Sequence, residues 1–306
     1  MFLGAHLGIA KGLPEAVHEI KKIQGEALQI FSKSPQMWAG PPIAADAAES
    51  FRVAVRDEGV RATAVHHGYL ANLASPKKLV LNRSRKAFRD EMARAELLGV
   101  DGLIFHPGAH LGSGVDAGLK SITESLRAAL ADRPDGTVRL LLENAAGQGT
   151  TLGSTFEQLQ TVLAAVDAPN RLGITIDTCH LFASGVDFRT EEGYGRLVDH
   201  LRATVGLAAV RAFHLNDAKA DLGSHLDRHE NIGKGLIGLD GFRRLVVDPQ
   251  WAAVPGYLET PLDDDSYARY AEDLATLRSL VPALEEPEKS RSAAPKRGNA
   301  SRAGAG

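Results

Sequence analysis

Short apolar runs alternate with segments of helical periodicity from the start of the chain to residue 283, and this alternation restricts the fold more than any other feature. The runs fall at residues 2–6, 27–31, 62–66, 102–106, 138–143, 173–177, 210–215 and 256–259. The helical pattern covers 14–24, 44–58, 77–98, 117–131, 155–165, 191–203, 239–247 and 264–280. Eight strand-then-helix units in succession predict an α/β fold of the (β/α)8 TIM-barrel type, because parallel strands need crossovers and the helices supply them. Gly12-Leu13-Pro14 and Asp263-Asp264-Asp265 read as helix starts, with Pro in the first turn and acids at the positive dipole end. Leu98-Gly99-Val100 and Glu58-Gly59-Val60 read as helix ends, with glycine taking the left-handed cap.

The 306 residues divide into a barrel-sized catalytic domain over 1–284 and a tail over 285–306. The tail is almost free of apolar residues and carries five basic ones from Lys289 to Arg302, so it is expected to be disordered. No apolar run reaches the length of a membrane span and no signal peptide is indicated, which together with a single cysteine, Cys179, suits the cytoplasm. Cys179 itself reads as a small buried apolar side chain. A formal charge of −3 argues against a binder held to nucleic acid by net charge alone. It does not exclude a phosphate-bearing substrate, since three divalent cations would turn the sum positive and concentrate that charge in one site.

Chemistry gathers where the strands end. His66 closes the third run, His106 the fourth, Glu143 the fifth and Asp177 the sixth; His214 lies in the seventh and Glu259 closes the eighth. In a barrel these ends ring one mouth. His180 follows Asp177 by three residues, and Asp227-Arg228-His229 offers two more ligands after the seventh strand. Five imidazoles and four carboxylates are too many for one ion and suit three. Mixed nitrogen and oxygen donors favour zinc, or manganese or iron in its place, over calcium or magnesium. Adjacent divalent ions orient a phosphate and stabilise both oxygens of an in-line displacement, so hydrolysis of a phosphodiester or phosphomonoester is the expected reaction class. Among the other histidines, His6 reads as a partner of the ligands and His67 as pointing away from them. His110 and His225 read as loop residues that orient ligands, and His18 and His200 as surface residues of helices.

His106-Pro107-Gly108, Glu143-Asn144-Ala145-Ala146-Gly147-Gln148-Gly149, Asp177-Thr178-Cys179-His180, His214-Leu215-Asn216-Asp217, Asp227-Arg228-His229 with Ile232-Gly233-Lys234-Gly235, and Leu258-Glu259-Thr260 stand in this order. From Gly4-Ala5-His6 to about residue 282 the chain resembles the endonuclease IV family, the three-zinc apurinic/apyrimidinic endonucleases of base-excision repair. The resemblance implies one zinc on His66, His106 and a bridging Glu143. It implies a second on Glu143, Asp177, His214 and Glu259, and a third on His180, Asp227 and His229. It further implies duplex DNA as partner, cleaved 5′ to an abasic site to leave a 3′-hydroxyl, with removal of 3′-blocking groups as a related activity. Glu259 would orient or deprotonate the attacking water. Tyr69 and Leu70, with Gln36 and Trp38, would be the loop residues that enter the duplex when the abasic nucleotide is flipped out. Gln36 and Met37 stand where other members carry Arg and Gln, which removes a charge and a stacking fork from that loop. A monomer is the expected state. The competing reading is a metal-dependent sugar isomerase or epimerase on the same barrel, which would need Glu143, Asp177, His214 and Glu259 but leave the remaining five ligands without a role.

Overall fold

The computed structural model describes residues 1–264 and 266–282; the proposed tail at 285–306 lies outside them. Seven strands, β1 (Phe2–Leu7), β2 (Ala27–Ile30), β3 (Ala62–His66), β4 (Gly102–Phe105), β5 (Arg139–Glu143), β6 (Leu172–Asp177) and β7 (Val210–His214), follow one another around a closed sheet. After β7 come two short strands, β8 (Asp217–Ala218) and β9 (His229–Glu230), paired antiparallel outside the barrel. The last barrel strand, β10 (Pro255–Leu258), pairs in parallel with both β7 and β1 and closes the ring. The expected TIM barrel is therefore the observed one.

Nine α-helices accompany the strands among the described residues: α1 (Leu13–Lys22), α2 (Ala45–Asp57), α3 (Lys78–Leu98), α4 (Val115–Ala131), α5 (Phe156–Val166), α6 (Thr178–Ala183), α7 (Glu191–Ala203), α8 (Gly238–Val247) and α9 (Ala268–Ser279). Gly12 precedes α1 with Pro14 in its first turn, and Gly59 and Gly99 take φ of 63° and 68° at helix exits, as read from the sequence. The acidic run beside α9 is a correction. The helix starts at Ala268, Asp263 pairs with Arg269 from outside it, and Asp264 accepts a hydrogen bond from the Ser266 amide. Asp264 finds its partner in the loop and Asp263 pairs with a first-turn residue of α9, so neither extends the helix.

Strand alternation sorts the side chains into an outer and an inner core. Leu140 and Leu142 of β5 face outward into the layer where Ile20, Phe51, Phe88, Leu126 and Phe242 of the helices pack. Fully burying a side chain of that size contributes about 1.5–3 kcal/mol. Inside the barrel Ala27, Ala62, Ala64, Ile104, Leu141, Ala212 and Tyr257 form a separate cluster. The inner residues of one strand thus occupy three tiers. On β5 these are Arg139 at the N-terminal floor, Leu141 in the middle and Glu143 at the C-terminal mouth. This tiering delivers the strand-end residues to a single point.

Candidate metal centre

Glu143 stands at the centre of the mouth, fully buried. One carboxylate oxygen lies 3.1 Å from His66 Nε2 and 3.5 Å from His106 Nδ1, the other 2.9 Å from His214 Nδ1 and 3.4 Å from His180 Nδ1. Asp177 and Glu259 reach the same space, with oxygens 3.8 and 3.4 Å from His214 Nδ1. Asp227, in the segment between β8 and β9, approaches His180 Nε2 at 3.0 Å and His229 Nε2 at 3.1 Å. The six residues singled out on the strands and the three that follow strands are therefore neighbours. Their donor atoms fall within 4.8 Å of one another in the groups His66–His106–Glu143, Glu143–Asp177–His214–Glu259 and His180–Asp227–His229.

The local sequence explains how each ring is aimed. His66 Nδ1 donates to the His67 carbonyl at 2.8 Å, His180 Nδ1 to the Asn144 carbonyl at 2.9 Å, and His229 Nδ1 to the Glu259 carbonyl at 3.0 Å. His214 Nε2 donates to Gln29 Oε1 at 2.8 Å. With one nitrogen of each ring committed as donor, the other presents a lone pair to the carboxylates. A lone pair facing an anion is repulsive unless a cation lies between them. The carboxylates make the same demand, since four in one buried space need compensating positive charge. Burial disfavours the charged form of His214, yet Glu259, Glu143 and Asp177 outweigh it and push the ring up to about 9. The same contest, led by burial and decided by Asp227 and Asp177, pushes His229 up to about 9. Burial would raise Glu259, but His214, His6 and His66 hold it well below the usual carboxylate range. The donor set thus fits divalent cations, and its charge balance favours them.

Two further close groups, His66–His214–Glu259 and Asp177–Cys179–His229, share members with these three. The second adds no ligand. Cys179 is fully buried, its thiol points at the Arg228 carbonyl 3.5 Å away, and burial together with Asp177 raises its pKa.

Asp177 combines two roles. Its Oδ1 accepts the His180 amide at 2.8 Å and caps α6, while Oδ2 faces the cluster and accepts from Asn216 Nδ2 at 2.7 Å. Asn144 Oδ1 accepts the Asp177 amide at 2.6 Å, and Asn216 Oδ1 accepts the Glu259 amide at 2.8 Å. Gln29, Asn144 and Asn216 were not singled out from the sequence. Gln29 Nε2 donates to Glu259 Oε1 at 2.6 Å, and the available signal was a lone amide inside an apolar run. The asparagines follow the ligands Glu143 and His214 by one and two residues.

His6 Nδ1 lies 2.9 Å from Glu259 Oε1, a partner of a ligand as read, and His67 turns away to stack on Phe88. His18 and His200 pair with Glu58 and Glu157 on the helical surface. His110 and His225 are corrected. His110 Nδ1 accepts the amides of Gly112 and Gly114, and His225 donates to the Ala146 carbonyl, so both organise loops and neither touches a ligand.

The four loop residues lie beside this mouth. Tyr69 is 65 % and Leu70 39 % exposed, Gln36 is exposed and Trp38 half-buried. Their two loops are joined by backbone, the Tyr69 amide donating to the Pro35 carbonyl at 3.1 Å while Gly68 leaves room for the Pro35 main chain. A Cβ on Gly68 would stand 2.8 Å from the Pro35 carbonyl oxygen. The β2 loop is also clamped from behind by α3. Arg94 donates to Ser32 Oγ and to the Pro41 carbonyl, each at 2.7 Å, and Glu91 pairs with Lys33.

Comparison with known proteins agrees with this geometry. A family model described as a xylose isomerase-like TIM barrel matches residues 17–280. A probable endonuclease 4 of Chloroflexus aurantiacus is 42 % identical over 282 residues, covering 92 % of this chain and 99 % of that protein. The crystal structure of endonuclease IV from Thermus thermophilus superposes with a TM-score of 0.80 at 32 % identity, covering 92 % of this chain and 98 % of that one. D-psicose 3-epimerase of Clostridium cellulolyticum superposes with a TM-score of 0.66 at 14 % identity, over 92 % of this chain and 100 % of that one, and shares the fold alone. The chain belongs to the endonuclease IV family, the apurinic/apyrimidinic endonucleases of DNA repair.

Proposed function

We propose that this chain cleaves duplex DNA on the 5′ side of abasic sites and trims blocked 3′ ends, using three ions of the zinc class. The observation that carries the reading is the convergence of three donor groups at one mouth, two of which share Glu143. His66 and His106 with Glu143 would hold one ion. Glu143, Asp177, His214 and Glu259 would hold a second, and His180, Asp227 and His229 a third. Manganese or iron suits the same donors. When bound, such ions supply positive charge against the phosphate oxygens and acidify water.

The chain's own residues do the rest. Gln29 and His6 fix Glu259, and its depressed pKa keeps it ionised at neutral pH, so it can orient the attacking water or take its proton. The water oxygen bonds to phosphorus as the bond to the upstream O3′ breaks, and the departing O3′ takes up a proton from solvent, leaving a 3′-hydroxyl and a 5′-phosphate on the abasic residue. Glu143 serves as the shared carboxylate. Tyr69 and Leu70 would fill the gap left by the flipped nucleotide, with Gln36 and Trp38 against the backbone across it. An abasic nucleotide has no base to unstack, which lowers the cost of flipping and contributes selectivity. The apolar character of Tyr69 and Leu70 and their exposure beside the mouth support this assignment.

The test pairs metal analysis of protein purified without chelator with cleavage of a duplex carrying one abasic site. About three ions per chain and a 3′-hydroxyl product are expected. At most one ion in fully active protein would overturn the trinuclear assignment.

A further inference from the structure

The opposite end of the barrel holds a second polar site. A cavity of ≈ 300 Å³ opens among the N-terminal ends of the strands, with Ala64, Leu141, Ala212 and Tyr257 forming its apolar depth. Its lining low on the strands carries little side chain at Ala62 on β3 and Gly102 on β4. Two arginines enter this space by different routes. Arg139 is the first residue of β5 and shares the inward face of Leu141 and Glu143.

Arg211 is turned inward by an irregularity. Ile174 pairs with Val210 and Thr175 with Ala212, which leaves Arg211 as the extra residue of a β-bulge. A Cβ built on Gly173 would meet Arg211 Cγ at 2.7 Å and Leu141 Cδ2 at 3.2 Å, so the arginine stem fills the volume that Gly173 vacates beside the inner core.

Neither arginine is compensated. The Nε atoms of Arg139 and Arg211 are buried without a hydrogen-bond partner, and among the described residues no carboxylate comes within ion-pair distance of either guanidinium. The neighbouring groups are already engaged. Arg61 lies 3.7 Å from the Phe2 ring centroid and 3.5 Å from Glu26. Asp101 accepts the Thr63 amide at 2.8 Å and the Thr63 hydroxyl at 3.3 Å. Burial and the charge of Arg139 both push Arg211 below its ordinary value. Two guanidinium groups that line one cavity, each with a buried and unpaired Nε, repel one another, and an anion between them would offset that repulsion.

We infer that Arg139 and Arg211 form a binding site for a small oxyanion of the phosphate class, on the face of the barrel opposite the metal centre. Two guanidinium forks match a doubly charged tetrahedral anion charge for charge and bond for bond. A monocarboxylate would leave one of the two charges uncountered. The cavity is at the lower end of the size range of small-molecule sites, with apolar walls beyond the arginines, so it has room for a short phosphomonoester as well as for the free ion.

The experiment is a titration of the metal-loaded, full-length enzyme followed by amide resonances. Those of Thr63, Gly102 and Leu140 report the floor; those of Tyr69 and Asn144 report the mouth, where the proposed reaction would itself attract phosphate. Inorganic phosphate and glycerol 3-phosphate are added separately at constant ionic strength, with chloride and acetate as controls. Saturable shifts at the floor with either phosphate and not with the controls are expected, and the tighter of the two identifies the free ion or the monoester as the better ligand. Arg139→Met and Arg211→Met should each raise the midpoint by about tenfold or more, the loss of charge-assisted bonds to the anion. Arg139→Lys and Arg211→Lys, which keep the charge but lose the fork, should weaken binding less and serve if a Met variant does not fold. Floor resonances that do not saturate, that respond equally to chloride, or that respond equally in all variants overturn the site. Because floor and mouth are read separately, failure here is distinguishable from failure of the cleavage assignment.

Discussion

The two ends of this barrel are built from the same strands and have opposite characters. At the mouth Asp177, His214 and Glu259 are each fixed by at least one amide partner before any ion arrives. At the floor, two strides down the same strands, small residues leave a cavity, and Arg139 and Arg211 have no partner at Nε. The middle tier of Ile104, Leu141 and Tyr257 separates them. Position along a strand therefore decides whether a residue serves chemistry, packing or the open floor, and substitutions can test that division tier by tier.

The largest effect should come from Glu143→Gln, which removes charge from two donor groups at once. Cleavage of an abasic duplex should fall by about 10³-fold or more, further than in His229→Ala, which touches one group. Equal residual rates would break the idea of a shared centre. Leu141→Ala, one tier lower on the same strand, should lower stability in urea unfolding by about 2–4 kcal/mol while metal content holds. A loss of ions in that variant would show that the tiers are not separable. Gln29→Ala deletes a partner of Glu259, His214 and His6 without deleting a ligand, and should reduce metal affinity or turnover by about 10–100-fold.

Smaller effects are expected outside the ring of ligands. Tyr69→Ala should reduce the preference for abasic over intact duplex by ~1–3 kcal/mol with metal content unchanged. Equal weakening on both duplexes would remove Tyr69 from the lesion. Gln36→Arg should tighten binding and steepen its salt dependence by up to about one unit of slope. An unchanged slope would mean that position 36 does not approach the phosphates.

The cluster of strand-end residues was legible in the sequence because histidine and carboxylate side chains at the close of apolar runs are conspicuous, and a barrel brings such ends together. Gln29 was not, since an amide is neither a usual ligand nor an expected strand-end residue. α6 was missed because only six residues form it, starting immediately after Asp177. The β8–β9 hairpin was missed for a similar reason, each strand having two residues and neither an apolar run. Arg139 could have been placed on the floor by counting back in twos from Glu143. Arg211 could not, because its inward turn depends on the bulge opposite Ile174 and Thr175, and a bulge breaks the count.

The link between the two mouth loops runs from the Tyr69 amide to the Pro35 carbonyl and through the bare Gly68, so it involves no side chain from positions 36 or 37. Mutation at those positions can therefore be inherited without shifting the tyrosine next door. If the loop pair enters damaged DNA as proposed, point changes at its tip would alter those contacts and leave Tyr69 in place, whereas any side chain at Gly68 would press on the Pro35 main chain.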